Sequence, residues 1–480
     1  MMKKFKKIFA AIAASALVAA MSFTSMAASI QINRGSAEGT NNTTYDYYQV
    51  LKASVSGDKS AVAYYVNDKD LAEAIDNLND SKGNDIFKVT SSVDKTKYNV
   101  ILNDGMTDKG EDIAAAFKTI IDNTDFVKNK KIVTGRINKN SEGIYKTPDL
   151  EDGYYLIVSS LGTKLALDTA SGENGVCEIN EKNGYPTVNK TVEQTVYNVG
   201  DSVKYTITVY IPASVDTDKT ITVHDTMAGV LSLVQDSITA KDDNNNVFTG
   251  YSVVPNDASD KNHKDTFDFQ FKPTDAMKGH NIVFTYDAEL LHTASANTPY
   301  TNTVYLTYAD YTTPTKSVDI KTYDFNLKKT KETLAGDLLE GAKFQLRTKA
   351  DQPATALKFT SDDTGYVKAD SQTLASSSDT IEAGKVNVRG LGNGTYYLVE
   401  TEAPKGYNAL SDAVKIEIST NENGDKVLKV NDKASDTVTV ANKMGIKLPS
   451  TGGMGTTVFA IVGLLVMAGA AVTLIVKKRA

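Results

Sequence analysis

The sequence predicts an all-β protein built from tandem β-sandwich domains. Apolar residues alternate with polar ones over long stretches, as Val203, Tyr205 and Ile207 illustrate. These stretches are rich in Val, Ile, Thr and Tyr, and turns of Asn, Asp and Gly separate them. A period of two places every second side chain on one face, which is the pattern of a half-buried strand. Many short strands of this kind predict immunoglobulin-like sandwiches arranged in a rod.

The first residues carry the pattern of a secretory signal peptide. Lysines at positions 3, 4, 6 and 7 precede an apolar or small-residue run from 8 to 21, and a Ser-Met-Ala exit ends at Ala27. A positive start, a short apolar core and a small-x-small exit define such signals. The run is too short to cross a bilayer core of about 30 Å. We therefore expect residues 1–27 to be removed during export.

The other end of the chain predicts a membrane span. Residues 456–476 carry no charge, and this run is long enough to cross a bilayer as a helix. Three basic residues follow at once and predict that this end stays in the cytoplasm. Everything between the two ends is then outside the cell.

A short motif, LPSTG, lies immediately before this span. It consists of Leu448, Pro449, Ser450, Thr451 and Gly452. Pro449 disfavours helix at the residue before it and leaves an extended segment that an enzyme cleft can bind. The motif, the span and the basic tail together resemble the cell-wall sorting signal of sortase substrates. A plain single-span membrane anchor is the alternative interpretation.

The resemblance to sorting signals implies a specific cleavage and a location. Sortase would cut between Thr451 and Gly452 and pass the Thr451 carbonyl to its cysteine and then to an amine. That amine would belong to peptidoglycan or to a neighbouring subunit. The protein would then be secreted and covalently attached to the cell wall, with only transient membrane contact before sorting.

Composition excludes several classes of partner and cofactor. The formal net charge is −7, and removal of the basic ends makes the mature form more acidic, which argues against nucleic acid or anionic lipid as a partner. The single cysteine, Cys177, allows no internal disulfide and is expected to be a buried small hydrophobe. Four histidines without a His/Cys cluster lead us to expect no metal and no cofactor. Helical patterns at 71–78 and 113–121 predict helical insertions in the first domain.

Polar residues share the buried face of their strands in two regions of the chain. For one such residue alone, a strand end or a bulge is the simpler explanation. Here each region holds a lysine near its start, an acid in its middle and an asparagine near its end, with nearly equal spacing. The two sets are Lys190, Asp225 and Asn302, and Lys329, Glu400 and Asn442.

Buried groups of these three types point to covalent chemistry. An unpaired ammonium or carboxylate is costly to bury, so the groups neutralise or react. Burial lowers the pKa of a lysine, and a neutral amine is a nucleophile. A protonated acid can polarise an asparagine amide and transfer protons as ammonia leaves. The product is a Lys–Asn isopeptide bond that the domain makes without an outside enzyme.

Three motifs resemble Gram-positive pilins. Residues 396–407, YYLVETEAPKGY, match the pilin E-box YxLxETxAPxGY at every fixed position. Residues 339–344, LEGAKF, resemble the LxGAxF strand of Cna B-type domains, and residues 185–210 resemble the second domain of fimbrial isopeptide-forming proteins. The likeness covers residues 185–453 and extends to the first domain only in general style.

The resemblance implies a domain order and two crosslinks. The expected segments are a signal peptide at 1–27, an N-terminal pilin domain at 28–184, an isopeptide-forming fimbrial domain at 185–322, a Cna B-type domain at 323–445 and the sorting signal at 446–480. The implied bonds are Lys190–Asn302, assisted by Asp225, and Lys329–Asn442, assisted by Glu400. Glu289 is a rival acid, but it falls on the opposite face of its strand.

The chain departs from the pattern of backbone pilins at one motif. The pilin motif ends in Tyr-Pro-Lys, whereas residues 185–187 here read Tyr-Pro-Thr. Lys182 is the possible substitute, because Lys190 is assigned to the internal bond. In the first domain Lys52, Glu151 and Asn180 are possible members of a further set, which the sequence leaves open.

Three functions remain for comparison. The first is a major pilin, a fimbrial shaft subunit that sortase polymerises and anchors to the wall. The alternative is an ancillary or basal pilin, or a stand-alone wall-anchored adhesin that does not polymerise. A wall-displayed enzyme is disfavoured, because the sequence has no G-x-S-x-G motif, metal-ligand cluster or Cys/His pair. The sequence identifies no host ligand.

Overall fold

The computed structural model describes residues 28–34, 38–57, 61–106, 110–169, 175–181, 183–255, 265–446 and 455–478. The predicted signal peptide, Lys182 and the LPSTG motif lie outside these residues. The described chain divides into two compact units. The first contains residues 28–195, 201–291 and 298–321, and the second contains residues 196–200, 292–297 and 322–478.

In its described residues, the N-terminal part of the first unit combines eleven strands with three helices. The strands are β1 (Ser29–Asn33), β2 (Thr40–Asn41), β3 (Tyr45–Val55), β4 (Val62–Val66), β5 (Phe87–Ser91), β6 (Tyr98–Leu102), β7 (Val133–Lys139), β8 (Tyr145–Lys146), β9 (Gly153–Ser159), β10 (Lys164–Asp168) and β11 (Val176–Asn180). The helices are α1 (Lys69–Asp76), α2 (Gly110–Asp122) and α3 (Thr124–Lys128).

One sheet in the order β11-β1-β8-β7-β3-β4-β6-β5 organises this part, with β9 joining β3 to β10. The helices pack their apolar faces on it. Asp68 begins α1 by accepting a hydrogen bond from the Leu71 backbone N–H at 2.9 Å. Phe117 of α2 is fully buried in the resulting core. Cys177 is buried, as the sequence predicts.

The rest of the first unit is a sandwich of two antiparallel sheets. Its strands are β12 (Thr187–Val192), β13 (Ser202–Tyr210), β14 (Ile221–Thr226), β15 (Leu231–Asp242), β16 (Tyr251–Pro255), β17 (Phe267–Phe271), β18 (Asn281–Leu290), β19 (Tyr300–Tyr308), β20 (Tyr311–Thr312) and β21 (Lys316–Ile320). A short 3₁₀ turn covers Asp275–Met277.

The two sheets of this sandwich run β12-β13-β18-β15 and β16-β17-β14-β19-β20, with β21 pairing β19. The short strand β2 from the N-terminal part completes the second sheet by pairing with β20. Strand β13 illustrates the alternation behind the core, because Val203, Tyr205 and Ile207 are all fully buried. Phe269 and Phe284 stack across the core with ring centroids 4.4 Å apart.

The second unit is also a sandwich of two sheets. Its strands are β22 (Tyr323–Lys331), β23 (Ala342–Arg347), β24 (Phe359–Asp362), β25 (Gly365–Lys368), β26 (Ile381–Ala383), β27 (Lys385–Leu391), β28 (Gly394–Glu402), β29 (Val414–Thr420), β30 (Lys426–Val430), β31 (Lys433–Ala434) and β32 (Thr437–Asn442). Two 3₁₀ turns cover Pro353–Thr355 and Leu374–Ser376, and the helix α4 covers Gly455–Lys477.

Its sheets run β24-β25-β27-β22-β32 and β26-β23-β28-β29-β30-β31. The first strand of this sandwich, β22, pairs in parallel with the last, β32. The helix segment Phe459–Lys477 is long and apolar enough to cross a membrane, which agrees with the predicted span. The all-β sandwich class predicted from the sequence is confirmed.

Candidate functional site

The first predicted set of polar residues meets in the core of the first unit's sandwich. Lys190 lies on β12 in one sheet, while Asp225 on β14 and Asn302 on β19 lie in the other. Strands β14 and β19 pair so that Asp225 is opposite Val304, which places Asn302 one inward position further along. Lys190 is 4% exposed, and Asp225 and Asn302 are fully buried. The alternation rule therefore placed all three side chains correctly.

Hydrogen bonds join these side chains directly. The Lys190 ammonium donates to Asn302 Oδ1 at 2.6 Å and also contacts the Asp225 carboxylate. Tyr286, on β18, is a fourth member that the sequence analysis missed. Its hydroxyl accepts hydrogen bonds from Lys190 Nζ at 2.9 Å and from Asn302 Nδ2 at 2.8 Å, and donates to Asp225 at 3.0 Å. The alternation of apolar residues along β18 already places Tyr286 on the inward face. Because a buried tyrosine hydroxyl needs a polar partner, this position could have identified Tyr286 from the sequence.

Burial shifts the proton equilibria of this site toward the neutral forms. Loss of hydration lowers the pKa of Lys190 to about 8, although the Asp225 carboxylate acts in the opposite direction. Burial likewise raises the pKa of Asp225, against the opposing effect of Lys190. The pKa of Tyr286 is well above its ordinary value, mainly because of burial, so its hydroxyl stays protonated. A neutral amine next to a neutral carboxylic acid is therefore accessible near neutral pH.

The geometry allows one reaction in particular. Lys190 Nζ lies beside the Asn302 amide, so its lone pair can attack the amide carbon without a large movement. A protonated Asp225 can give its proton to the departing nitrogen and take one from the lysine. The new C–N bond forms as the bond from that carbon to Nδ2 breaks, and ammonia leaves.

The second predicted set lies in the second unit and is less completely connected. Asn442 Nδ2 donates to both Glu400 oxygens, at 2.8 and 2.9 Å, and the Leu410 backbone N–H also donates to Glu400 at 2.9 Å. Lys329 is fully buried, and burial lowers its pKa against the effect of Glu400. Its ammonium donates to the backbone carbonyls of Thr330 and Val440, both at 3.4 Å.

The Asn442 amide oxygen is buried without a hydrogen-bond partner among the described residues. Such an acceptor costs about 1–3 kcal/mol. A donor from Lys329 would remove this cost. The strand register explains the looser arrangement, because it places Lys331, rather than Lys329, directly opposite Asn442 on the parallel strands.

A third group of the same residue types in the second unit shows why burial matters. Lys426 Nζ lies 2.6 Å from Asp324 Oδ1, and Asn297 and Asn387 donate to the same carboxylate at 2.8 and 2.7 Å. Burial would raise the pKa of Asp324, but the hydrogen bonds from Lys426, Asn297 and Asn387 outweigh it and lower the pKa. Asp324 therefore stays a carboxylate, and the group is an ion pair.

Lys52, Glu151 and Asn180, the possible further Lys–acid–Asn set of the first domain, do not form a buried cluster. Lys52 Nζ lies 3.5 Å from Glu151, and the two side chains are 40% and 71% exposed. Asn180 accepts a hydrogen bond from Asn33 at 3.4 Å at an exposed position on β11.

Glu289, the rival acid in the sandwich of the first unit, lies on the outward side of β18, so Asp225 is the acid that contacts Lys190. The remaining predicted site residues, Lys182 and Leu448 to Gly452, lie outside the described part of the chain.

Two family models match the C-terminal part of the chain. Residues 323–434 match the SpaA prealbumin-like fold domain, and residues 441–480 match the LPXTG cell wall anchor motif. None of the curated proteins matches the chain.

Several solved pilin structures are similar to the chain. The backbone protein of the group B streptococcus pilus 2b is 24% identical, covering 54% of this chain and 99% of that chain, with a TM-score of 0.38. The major pilin SpaA of Corynebacterium diphtheriae is 15% identical, covering 87% and 100%, with a TM-score of 0.45. The full-length pilus protein RrgB of Streptococcus pneumoniae is 12% identical, covering 89% and 100%, with a TM-score of 0.44.

The anchor match defines the class of protein. The chain is a cell-wall-attached surface protein of the LPXTG type, as the sequence predicts. Its domain at 323–434 is a prealbumin-like fold domain of the SpaA type. Together the two matches confirm the resemblance to sortase-assembled pilin subunits that the E-box and the sorting signal indicate.

Proposed function

We propose that this protein is a major pilin, the shaft subunit of a fimbria that sortase polymerises and attaches to peptidoglycan. Two self-catalysed isopeptide bonds, Lys190–Asn302 and Lys329–Asn442, strengthen it. Its role is structural rather than enzymatic. The observation that carries the proposal is the direct contact between Lys190 and the Asn302 amide, with Asp225 and Tyr286 beside them, in a core closed to water.

The positions of the two bonds suit a subunit that bears tension. Lys190 and Asn302 are separated by 112 residues, so their bond would bypass almost the whole sandwich. In the second unit, tension would enter at the start of β22 and leave at the end of β32. Because these strands are parallel neighbours, that tension would shear the hydrogen bonds between them. A covalent Lys329–Asn442 bond would carry the load instead.

Intact mass tests both bonds at once. Each bond releases one ammonia, so the mature chain, residues 28–451, should weigh about 34 Da less than its sequence mass. A double variant, Lys190→Arg with Lys329→Arg, removes both nucleophiles and should show the full sequence mass. Full sequence mass in the unmodified chain would refute the crosslinks, while leaving wall attachment untouched.

Polymerisation is tested separately in cell-wall extracts. We expect an immunoblot to show a ladder of high-mass bands, with Lys182 as the acceptor amine. Lys182→Arg should collapse the ladder to a wall-linked monomer. Replacement of Lys164, an exposed strand lysine earlier in the sequence, by Arg should leave the ladder unchanged. A single monomer band from the unmodified chain would instead favour an ancillary or basal pilin or a stand-alone adhesin. The threonine at 187 favours that second candidate, because it stands where the pilin motif has its lysine.

A further inference from the structure

A second cluster of polar side chains lies on the opposite face of the sheet that carries Asp225. His224 of β14 lies directly opposite Asp268 of β17 on one side and Tyr305 of β19 on the other. Asp265 precedes β17 and joins them. From this arrangement we propose that His224, Asp265 and Asp268 form a binding site for a divalent transition-metal cation such as Zn²⁺.

The distances between the three donor atoms match those around a shared cation. His224 Nδ1 lies 3.0 Å from Asp268 Oδ1 and 3.2 Å from Asp265 Oδ2. The three donor atoms all lie within 4.8 Å of one another. Zinc binds histidine nitrogen and carboxylate oxygen at about 2.0–2.2 Å, so adjacent donors in its tetrahedral shell are about 3.3–3.6 Å apart, a few tenths of an ångström more than the two distances here. Two carboxylates therefore converge on one ring nitrogen at nearly the spacing that a shared cation imposes.

Neighbouring side chains hold these groups in the orientation that metal binding requires. His224 Nε2 lies 2.9 Å from Thr307 Oγ1, a contact that orients the ring with Nδ1 toward the two carboxylates. The imidazole also stacks on the Tyr305 ring, with centroids 4.4 Å apart. Hydrogen bonds from Thr226 to Asp265 Oδ1 and from Tyr305 to Asp265 Oδ2, at 2.9 and 3.2 Å, orient that carboxylate.

Burial and ligand type indicate the class of cation. Asp265 is 7% exposed and Asp268 is 3% exposed, so both carboxylates already lie largely out of water. A histidine nitrogen suits Zn²⁺ and similar transition metals, whereas Ca²⁺ and Mg²⁺ prefer oxygen donors alone. Within the described part of the chain three protein ligands converge here, which is the number that open zinc sites use. A bound ion would crosslink β14 to the strand that begins at Phe267.

Calorimetric titration of the mature chain, residues 28–451, with Zn²⁺ tests the site, with Co²⁺ as an optical probe of the same position. We expect one ion per chain. His224→Ala and the isosteric Asp268→Asn should each weaken binding at least tenfold. Thr307→Val, which removes the partner of Nε2, should weaken it roughly 10- to 100-fold. Circular dichroism melts establish that each variant is folded.

His280→Ala provides the matched control. His280 Nδ1 also faces a carboxylate, that of Asp243 at 3.5 Å, but this pair is exposed. The control should bind Zn²⁺ as the unmodified chain does. Absence of saturable binding, or binding that survives Asp268→Asn, would overturn the proposal and leave the direct contacts of His224 with the two aspartates as the explanation of the cluster.

Discussion

Replacement of Asp225 by Asn should leave the Lys190–Asn302 bond unformed, so that the mature chain weighs about 17 Da rather than about 34 Da less than its own sequence mass. Asparagine keeps the shape of the side chain but cannot transfer the proton that the departing ammonia needs. Loss of a crosslink that closes a loop of 112 residues should cost roughly 4–5 kcal/mol, if the disulfide loop-entropy relation applies. We expect the first unit to melt on the order of 8 °C lower in a calorimetric scan.

Asp287→Asn is the matched control for this experiment. Asp287 follows Tyr286 on β18, but it lies on the outward side of the strand and takes no part in the buried cluster. Its replacement should leave both the mass deficit and the melting temperature unchanged. An Asp225→Asn chain that still lacks about 34 Da would show that the acid is not needed, and the proposed proton transfer would then be wrong.

The backbone geometry of a strand explains which site residues the sequence could predict. Side chains alternate strictly between faces, so one apolar neighbour on each side is enough to place a polar residue inside. Lys190, Asp225 and Asn302 follow this rule, and all three are in fact buried together. Tyr286 follows it as well, but its hydroxyl was overlooked because a tyrosine in a core is usually interpreted by its ring alone.

Features that depend on how strands pair could not be predicted from one sequence. The alternation places Lys329 and Asn442 inside, but the register that sets Lys331 opposite Asn442 is fixed by contacts between distant strands. The cluster around His224 was missed for the same reason. Its two acids are about 40 residues further along the chain, and nothing in the local pattern of β14 points to them. The pairing of β2 with β20 is likewise a contact between distant parts of the chain.

The second unit offers a mechanical test of the other crosslink. With the Lys329–Asn442 bond in place, pulling on the ends of the chain should not unfold the strands between the two residues. Glu400→Gln keeps an oxygen that can accept the Leu410 N–H bond but removes the acid, so the bond should not form. Single-molecule stretching of this variant should then release the roughly 110 enclosed residues, an extension of about 350–400 Å that the unmodified chain lacks.

Glu402→Gln on the same strand separates the loss of the acid from a general weakening of β28. Glu402 is exposed and pairs with Lys343 at 2.8 Å, a contact that contributes little to stability. Its variant should keep the mass deficit and resist extension like the unmodified chain. Because β22 and β32 pair in parallel, force on the chain ends loads their hydrogen bonds in shear. These hydrogen bonds then either break together or are protected by the covalent bond, so the two cases are easily distinguished. If the Glu400→Gln chain also failed to extend, hydrogen bonds alone would be bearing the load, and a mechanical role for the Lys329–Asn442 crosslink would be untenable.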